Sequence, residues 1–173
     1  MHSIPNPDDC IKILKETGCS KKVITHCKTV RDVAIKIAKK TDADIKLVEA
    51  GALLHDLGRS KTHGIFHAIE GAMIAKKLGL STKIVNIIER HIGAGISREE
   101  AKKLGLPVKD YIPISLEEKI VCHADSLVDE GRRQKIEKEV ERALKEGHKE
   151  YAIRLVRLHK ELSEICGIDL NRI

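Results

Sequence analysis

The chain has 173 residues and a net charge of +6; 42% of its residues are hydrophobic, 34% charged and 2% aromatic. A single domain of this length buries roughly 70% of its unfolded surface, so it needs no disulfide or metal merely to fold, and the composition excludes intrinsic disorder. With Phe66, Tyr111 and Tyr151 as its whole aromatic complement, the core must be aliphatic and an aromatic base-stacking platform is nearly excluded.

Helical periodicity runs the length of the chain and no segment sustains alternation, so the expected class is all-α. Asn6-Pro7-Asp8-Asp9 opens a first helix, with proline in its first turn and acids at the positive end of the dipole. It carries Ile11, Ile13 and Leu14 and ends at Gly18. Ser20 caps a long second helix with the stripe Val23, Val30, Ala34, Ile37 and Ala38. A third runs from about 44 to 55 through Ile45, Val48, Ala52 and Leu53 and stops at Gly58, followed by a polar loop over 59–64. A fourth covers roughly 66–78 and closes at Gly79. Ser81 caps a fifth, carrying Ile84, Val85, Ile87 and Ile88 and ending at Gly93-Ala94-Gly95. Ser97 with Glu100 is a capping box for a short sixth helix reaching Leu104. Pro107 and Pro113 mark an irregular connection, and Ser115 with Glu118 predicts a second capping box, opening a helix through Ile120, Val121, Ala124 and Val128.

Two further helices, about 132–146 and 150–166, form a tail with eleven bases against eight acids from Arg132 to Ile173, a solvated mixed surface. Its stripes (Ile136, Val140, Ala143 and Leu144; then Ile153, Leu155, Val156, Leu158, Leu162 and Ser163) are expected to pack back on the domain, with a homodimer contact as the alternative. Residues 1–19 are expected to be an N-terminal helix packed on the domain, 20–130 its functional part and 131–173 a helical extension of it. The positive balance favours anionic ligands weakly: a small phosphate-bearing molecule suits it as well as nucleic acid does. Five cysteines without a Cys-x-x-Cys pair point to a reducing interior. No apolar run approaches the roughly 18 residues of a membrane span, and the opening MHSIPNPDDC lacks the blocks of a signal peptide. The expected location is cytoplasmic, with no membrane partner.

Nine histidines beside three aromatics are the first anomaly. His26 falls on the second helix's apolar stripe, and His55-Asp56 directly follow Leu53-Leu54. His67 lies on the line Gly71, Ile74, Leu78; His91 follows Ile84, Ile87 and Ile88 on the inward face of the fifth helix; Asp125 sits between Val121 and Val128. Buried polar groups are costly unless paired or bound to a metal. Several helices each pushing one ligand-type side chain toward one interior make a metal-site pattern, although each residue taken singly reads as a hydrogen-bonded core group or a cap. His123 also lies on an apolar line, with Leu116, Ile120 and Leu127, and periodicity does not choose between it and Asp125. His2, His148 and His159 are expected on the surface. Imidazoles with carboxylates suit Mn²⁺, Fe²⁺, Ni²⁺ or Co²⁺ better than structural zinc.

The order His26 … His55-Asp56 … Asp125 resembles the HD-domain metal-dependent phosphohydrolases, whose ligands follow H…HD…D on an all-helical fold. His55-Asp56-Leu57-Gly58-Arg59 is similar to the HDIG subgroup, and the histidines of His67-Ala68-Ile69-Glu70-Gly71-Ala72 and His91-Ile92-Gly93-Ala94-Gly95 fall where that subgroup carries further ones. The likeness spans roughly residues 20 to 130 and is of the small, archaeal-like stand-alone kind. It implies a compact HD-domain bundle followed by a C-terminal helical pair, with one or two divalent ions per chain. His26, His55, Asp56 and Asp125 would hold the first ion. His123-Ala124-Asp125-Ser126-Leu127 matches the family's closing "AD" element, which favours Asp125 over His123. His67 and His91 would contact the substrate phosphate, or hold a second ion bridged by the motif aspartate; the first arrangement is the expected one.

A divalent ion lowers the pKa of a bound water and polarises a phosphoryl oxygen. Arg59 would offer a forked donor to the phosphate, Lys61 and His63 would add charge or protonate the leaving group, and Glu70 is a helix-surface acid. The implied catalytic set is Asp56, Arg59, His67 and His91. Gly93-Ala94-Gly95 lacks the third glycine of a dinucleotide fingerprint and reads as a loop that admits substrate. No Gly-Tyr-Pro follows His91 and no Glu-Asp pair follows the HD motif, and the chain lacks room for the extra elements of dNTP triphosphohydrolases. These departures point away from cyclic-di-GMP, alarmone and dNTP hydrolases. The expected activity is hydrolysis of a phosphate ester of a nucleotide or related small compound. A 2′,3′-cyclic nucleotide or RNA-end phosphodiesterase is the alternative, and a noncatalytic metal-stabilised interaction module is the reading from another class.

Overall fold

Six helix starts are fixed by side-chain caps in the computed structural model, which describes residues 4–173. Asn6, Ser20, Asp44, Ser81, Ser97 and Ser115 each accept a hydrogen bond from a backbone N–H of the first turn, a contact that stabilises a helix by about 1 kcal/mol. The helices are α1 (Pro7–Glu16), α2 (Lys21–Ala38), α3 (Ile45–Leu54), α4 (His67–Lys77), α5 (Thr82–Glu89), α6 (Arg98–Lys103), α7 (Leu116–Ser126), α8 (Ile136–Lys145) and α9 (Lys149–Cys166). The class is all-α, as expected. Among the described residues the one sheet is a two-stranded hairpin, β1 (Val128–Asp129) with β2 (Arg132–Arg133). His2 lies outside the described residues.

α2 packs on α3 and α7, α4 on α5, and α9 on α7 and α8. Their apolar faces share one aliphatic core whose fully buried members include Leu14, Ile37, Leu53, Ile88, Ile120 and Leu155. Burying each such side chain contributes about 1.5–3 kcal/mol. A smaller cluster of Ile96, Ala101, Leu106 and Tyr111 sits under the connection from α5 to α7. No helix among the described residues is long and apolar enough to cross a membrane.

Four local expectations are corrected. The loop over 59–64 begins inside a one-turn 3₁₀ helix, Leu57–Ser60. α5 ends at Glu89, because Arg90 leaves helical geometry, so His91 stands just beyond the helix. The second capping box is half formed: Ser115 accepts from the Glu118 N–H, but the buried Glu118 carboxylate turns to Arg90 (2.9 and 3.1 Å) and the Ile114 N–H (2.8 Å). A buried carboxylate gains more from a guanidinium than from a neutral amide. Finally, α7 stops at Ser126, and Val128 enters the hairpin, whose turn at Glu130 and Gly131 has φ +47° and +75°. That left-handed pair delays the start of α8 to Ile136.

The tail packs back: Leu155, Leu158 and Leu162 join the main core, as do Ile136 and the partly buried Val140. Leu144 and Val156, on the same expected stripes, are exposed.

Candidate metal centre

The motif pair stands where α3 gives way to the 3₁₀ turn, with His55 as the C-cap of α3 and Asp56 opening the turn. Two glycines let that turn press onto α4. A Cβ on Gly58 would lie 1.8 Å from the His67 carbonyl oxygen, and one on Gly71 would lie 2.9 Å from the Gly58 nitrogen. Only backbone without side chains can cross this closely, and the crossing sets His67, first residue of α4, beside Asp56. His26 projects from α2, His91 from the segment after α5, and Asp125 from α7. Five separate elements therefore supply one cluster.

Within it, His26 Nε2 lies 2.9 Å from Asp125 Oδ1 and 3.7 Å from Asp56 Oδ2. His55 Nε2 is 3.5 Å from Asp125 Oδ1 and 3.7 Å from Asp56 Oδ2. The other Asp56 oxygen faces His67 Nε2 at 3.1 Å and His91 Nε2 at 3.4 Å. The ring orientations share one cause. Nδ1 of His55, His67 and His91 donates to the carbonyl oxygens of Ala52, Gly64 and Ile88 at 2.7, 2.8 and 2.7 Å. A neutral imidazole that donates from Nδ1 carries its lone pair on Nε2, so in their neutral form the three histidines present acceptors to one spot. Two buried atoms there, His55 Nε2 and Asp56 Oδ1, have no hydrogen-bond partner.

The charge balance explains the proton affinities. Burial works against a charged His55, yet Asp56 and Asp125 hold its pKa well above the usual value. Burial would raise Asp56, but His55, with His67 and His91 close by, keeps it well below the ordinary carboxylate range. Asp125 is lowered in the same way, by His55 and His26 against burial, whereas burial pushes His91 down. The donor set fits a divalent cation: His26, His55 and Asp125 can gather three ligand atoms within 4.8 Å of one another, and so can His55, Asp56 and His91. Imidazole nitrogens with carboxylate oxygens suit borderline divalent metals.

The other expected site residues are placed unequally. Arg59 is tied inward, Nε to Asp56 Oδ2 at 2.9 Å and Nη1 to the His63 carbonyl at 3.0 Å. His63 is exposed and lines a cleft with Lys21, Lys22, Arg59 and Asp56, while the exposed Lys61 lines neither that cleft nor the one reaching His91. His123 is fully buried and bonds His159 (2.8 Å), which bonds Asp169 (3.0 Å); burial pushes the His123 pKa down to about 3. His159, expected on the surface, is thus mostly buried, with its side chain 13% exposed. His148 is exposed, but it lines a cleft that also reaches His26, His91 and Asp125.

That cleft, about 570 Å³, opens on His26, His67, His91 and Asp125 and continues to Glu139, Arg142, Tyr151 and Arg154 of α8 and α9. A second, about 620 Å³, reaches the centre through His26, Asp56 and Arg59. Sequence reasoning passed over the α8–α9 residues. One signal was available: Glu139 sits on the stripe of Ile136, Val140 and Ala143, the same anomaly of a charge on an apolar line that marked the histidines.

The HD domain family model matches residues 23–130. A Thermoplasma volcanium protein named tRNA (cytidine(56)-2′-O)-methyltransferase is 47% identical over 98% of this chain and 50% of its own length, so the chain spans about half of that relative. An uncharacterized protein of Methanocaldococcus jannaschii is 45% identical over 91% of this chain and 97% of itself. Among solved structures, the HD domain of the L. monocytogenes phosphodiesterase PgpH, in complex with cyclic-di-AMP, superposes with a TM-score of 0.56. That match has 18% identity and covers 91% of this chain and 96% of that one, a likeness of fold.

Proposed function

The chain belongs to the HD-domain family, and from that membership we propose that it is a metal-dependent phosphohydrolase acting on a phosphate ester of a nucleotide or related small phosphate compound. His26, His55, Asp56 and Asp125 hold the first ion in this reading. The observation that carries it is the convergence of three Nε2 acceptors and two carboxylates on one spot, with His55 Nε2 and Asp56 Oδ1 buried and unpartnered. Buried polar atoms left without partners favour a cation among them.

A divalent ion there supplies Lewis acidity toward a phosphoryl oxygen and a water of lowered pKa. The chain's own residues do the rest. The backbone carbonyls behind His55, His67 and His91 fix the tautomer and aim each ring. Arg59 holds Asp56 in place through Nε, and lines both clefts with a terminal nitrogen left for a phosphate oxygen. His67 and His91 bind the phosphate. A two-ion centre is the second reading, favoured by the way Asp56 turns one oxygen toward His26 and His55 and the other toward His67 and His91.

An RNA-derived substrate, such as a 2′,3′-cyclic or terminal phosphate, is the alternative within the class. It is supported by the tRNA-directed name of the Thermoplasma relative, which covers a protein twice as long, and by Lys21, Lys22 and His63 in the second cleft. The test is a panel of mononucleotides, cyclic nucleotides and short RNAs with each candidate metal, assayed for phosphate release and ring opening. Turnover of any member with metal supports the reading. Stoichiometric metal with no turnover across the panel contradicts it and favours the noncatalytic module.

A further inference from the structure

The cleft that opens on His26, His67, His91 and Asp125 runs past the candidate metal centre to a wall built by α8 and α9, beyond residue 130 where the family match ends. The central side chain of that wall is Glu139, only 5% exposed, a burial that glutamates almost never reach unless paired. Its Oε1 accepts hydrogen bonds from Tyr151 Oη at 2.7 Å and from Arg142 Nη2 at 2.6 Å. Its Oε2 accepts none from the described residues, and Glu139 lines the cleft. One carboxylate oxygen is thus fixed by the protein and the other is left to whatever enters.

The wall is tied to the reactive end. A Cβ on Gly93, two residues after His91, would stand 2.8 Å from Tyr151 Cε2, so the phenol ring lies directly on that backbone. Burial and the Glu139 carboxylate push the Tyr151 pKa up, which keeps the phenol a donor. Arg154 of α9 adds a second tie, Nη2 to the Gly95 carbonyl at 2.9 Å and to Glu100 at 3.0 Å. Ile65, Ile92, Ile96, Leu104 and Val128 give the same cleft an apolar lining, and Leu104 is 45% exposed. At about 570 Å³ the space is far larger than a phosphate needs and lies in the range of small-molecule sites.

We infer that the α8–α9 wall is the subsite for the organic half of a nucleotide, where the aliphatic lining packs on the ring and Glu139 Oε2 accepts a hydrogen bond from an N–H or O–H donor of base or ribose. The inference rests on the phosphohydrolase reading for where the phosphate lies, at the histidine–aspartate cluster. It places substrate choice in residues that the family match does not cover.

Calorimetry on the metal-loaded full chain tests it, with cytidine, uridine and 2′-deoxycytidine 5′-monophosphates and inorganic phosphate as probes. Glu139→Gln, isosteric and still able to accept from Tyr151, is expected to weaken nucleotide binding about tenfold and leave inorganic phosphate unchanged. Leu104→Ser, at an exposed position, is expected to weaken the nucleotides about threefold and spare phosphate. Weaker uridine than cytidine binding, lost in Glu139→Gln, assigns the donor to the base amino group. Weaker deoxycytidine binding, lost in the same way, assigns it to the ribose. If both variants are folded and bind every nucleotide as the wild type does, or lose inorganic phosphate in parallel, the subsite is overturned. Failure of the phosphohydrolase reading shows separately, as no phosphate release or ring opening by the wild type on any member of the nucleotide and RNA panel with any metal.

Discussion

His67 Nε2 lies 3.0 Å from His91 Nε2, and Nδ1 of each ring donates to a backbone carbonyl. Two neutral rings so arranged point lone pair at lone pair, which is repulsive unless a proton or a metal ion stands between them. Asp56 Oδ1 closes the triangle at 3.1 and 3.4 Å. A metal ion beside this contact would relieve the repulsion, and replacing His91 separates two roles. His91→Ala is expected to lower turnover by about 10²–10⁴-fold. If His91 serves the phosphate, metal content stays near one equivalent; if it serves a second ion, content falls from about two to about one. Metal analysis beside steady-state kinetics reads both.

Asp125 and His123 lie two residues apart on α7, and the structure gives them opposite surroundings. Asp125 reaches His26 and His55, whereas His123 bonds His159. Asp125→Asn is therefore expected to lose metal and activity while remaining folded. His123→Leu is expected to keep both and to lose about 1–2 kcal/mol of stability, since it leaves His159 without its partner. Metal retention in the first variant and loss in the second would reverse the assignment.

Gly58 carries the geometry of the whole centre. A methyl group there would meet the His67 carbonyl at 1.8 Å and the Gly71 nitrogen at 2.5 Å, both backbone atoms that cannot swing aside. Gly58→Ala is expected to destabilise the fold by about 3 kcal/mol or more and to weaken metal binding, because His55-Asp56 and His67 must separate. Thermal unfolding with a metal titration checks it; a wild-type midpoint and affinity would show that the crossing is not needed.

The buried thiols give a pH signature. Burial, with Asp9 nearby, pushes Cys10 up to about 12, and burial raises Cys122 as well. A thiol whose folded pKa is raised contributes stability that is full below its unfolded value and is lost as pH climbs toward the folded one. Stability is therefore expected to fall between about pH 9 and pH 12, and to fall less steeply in Cys10→Ala. The same protonation keeps Cys10 and Cys122 inert to a thiol reagent at pH 8 in the native protein, with the half-buried Cys166 the more reactive. Urea unfolding at two pH values and a labelling time course measure these effects.

Much of the fold was legible because it is written locally. Asn6, Ser20, Asp44, Ser81 and Ser97 cap the helices that their spacing predicts, and a cap needs only its own first turn. The histidines stood out because a polar ring on an aliphatic stripe needs a partner. What did not show was non-local. Glu118 leaves its capping box for Arg90, 28 residues earlier. Arg59 ties its Nε to Asp56, a contact its place in the motif did not announce. Glu139 carries the same mark as His26, but its meaning depends on Tyr151 and on a cleft that exists only once α9 has packed against α7.

Metal content bears most directly on the central claim. Protein purified without chelator and offered Mn²⁺, Fe²⁺, Ni²⁺ or Co²⁺ is predicted to hold about one to two equivalents by mass spectrometry, and Asp56→Ala, still folded, to hold none. No bound metal under any of these conditions, or full occupancy in the Asp56 variant, would contradict the account.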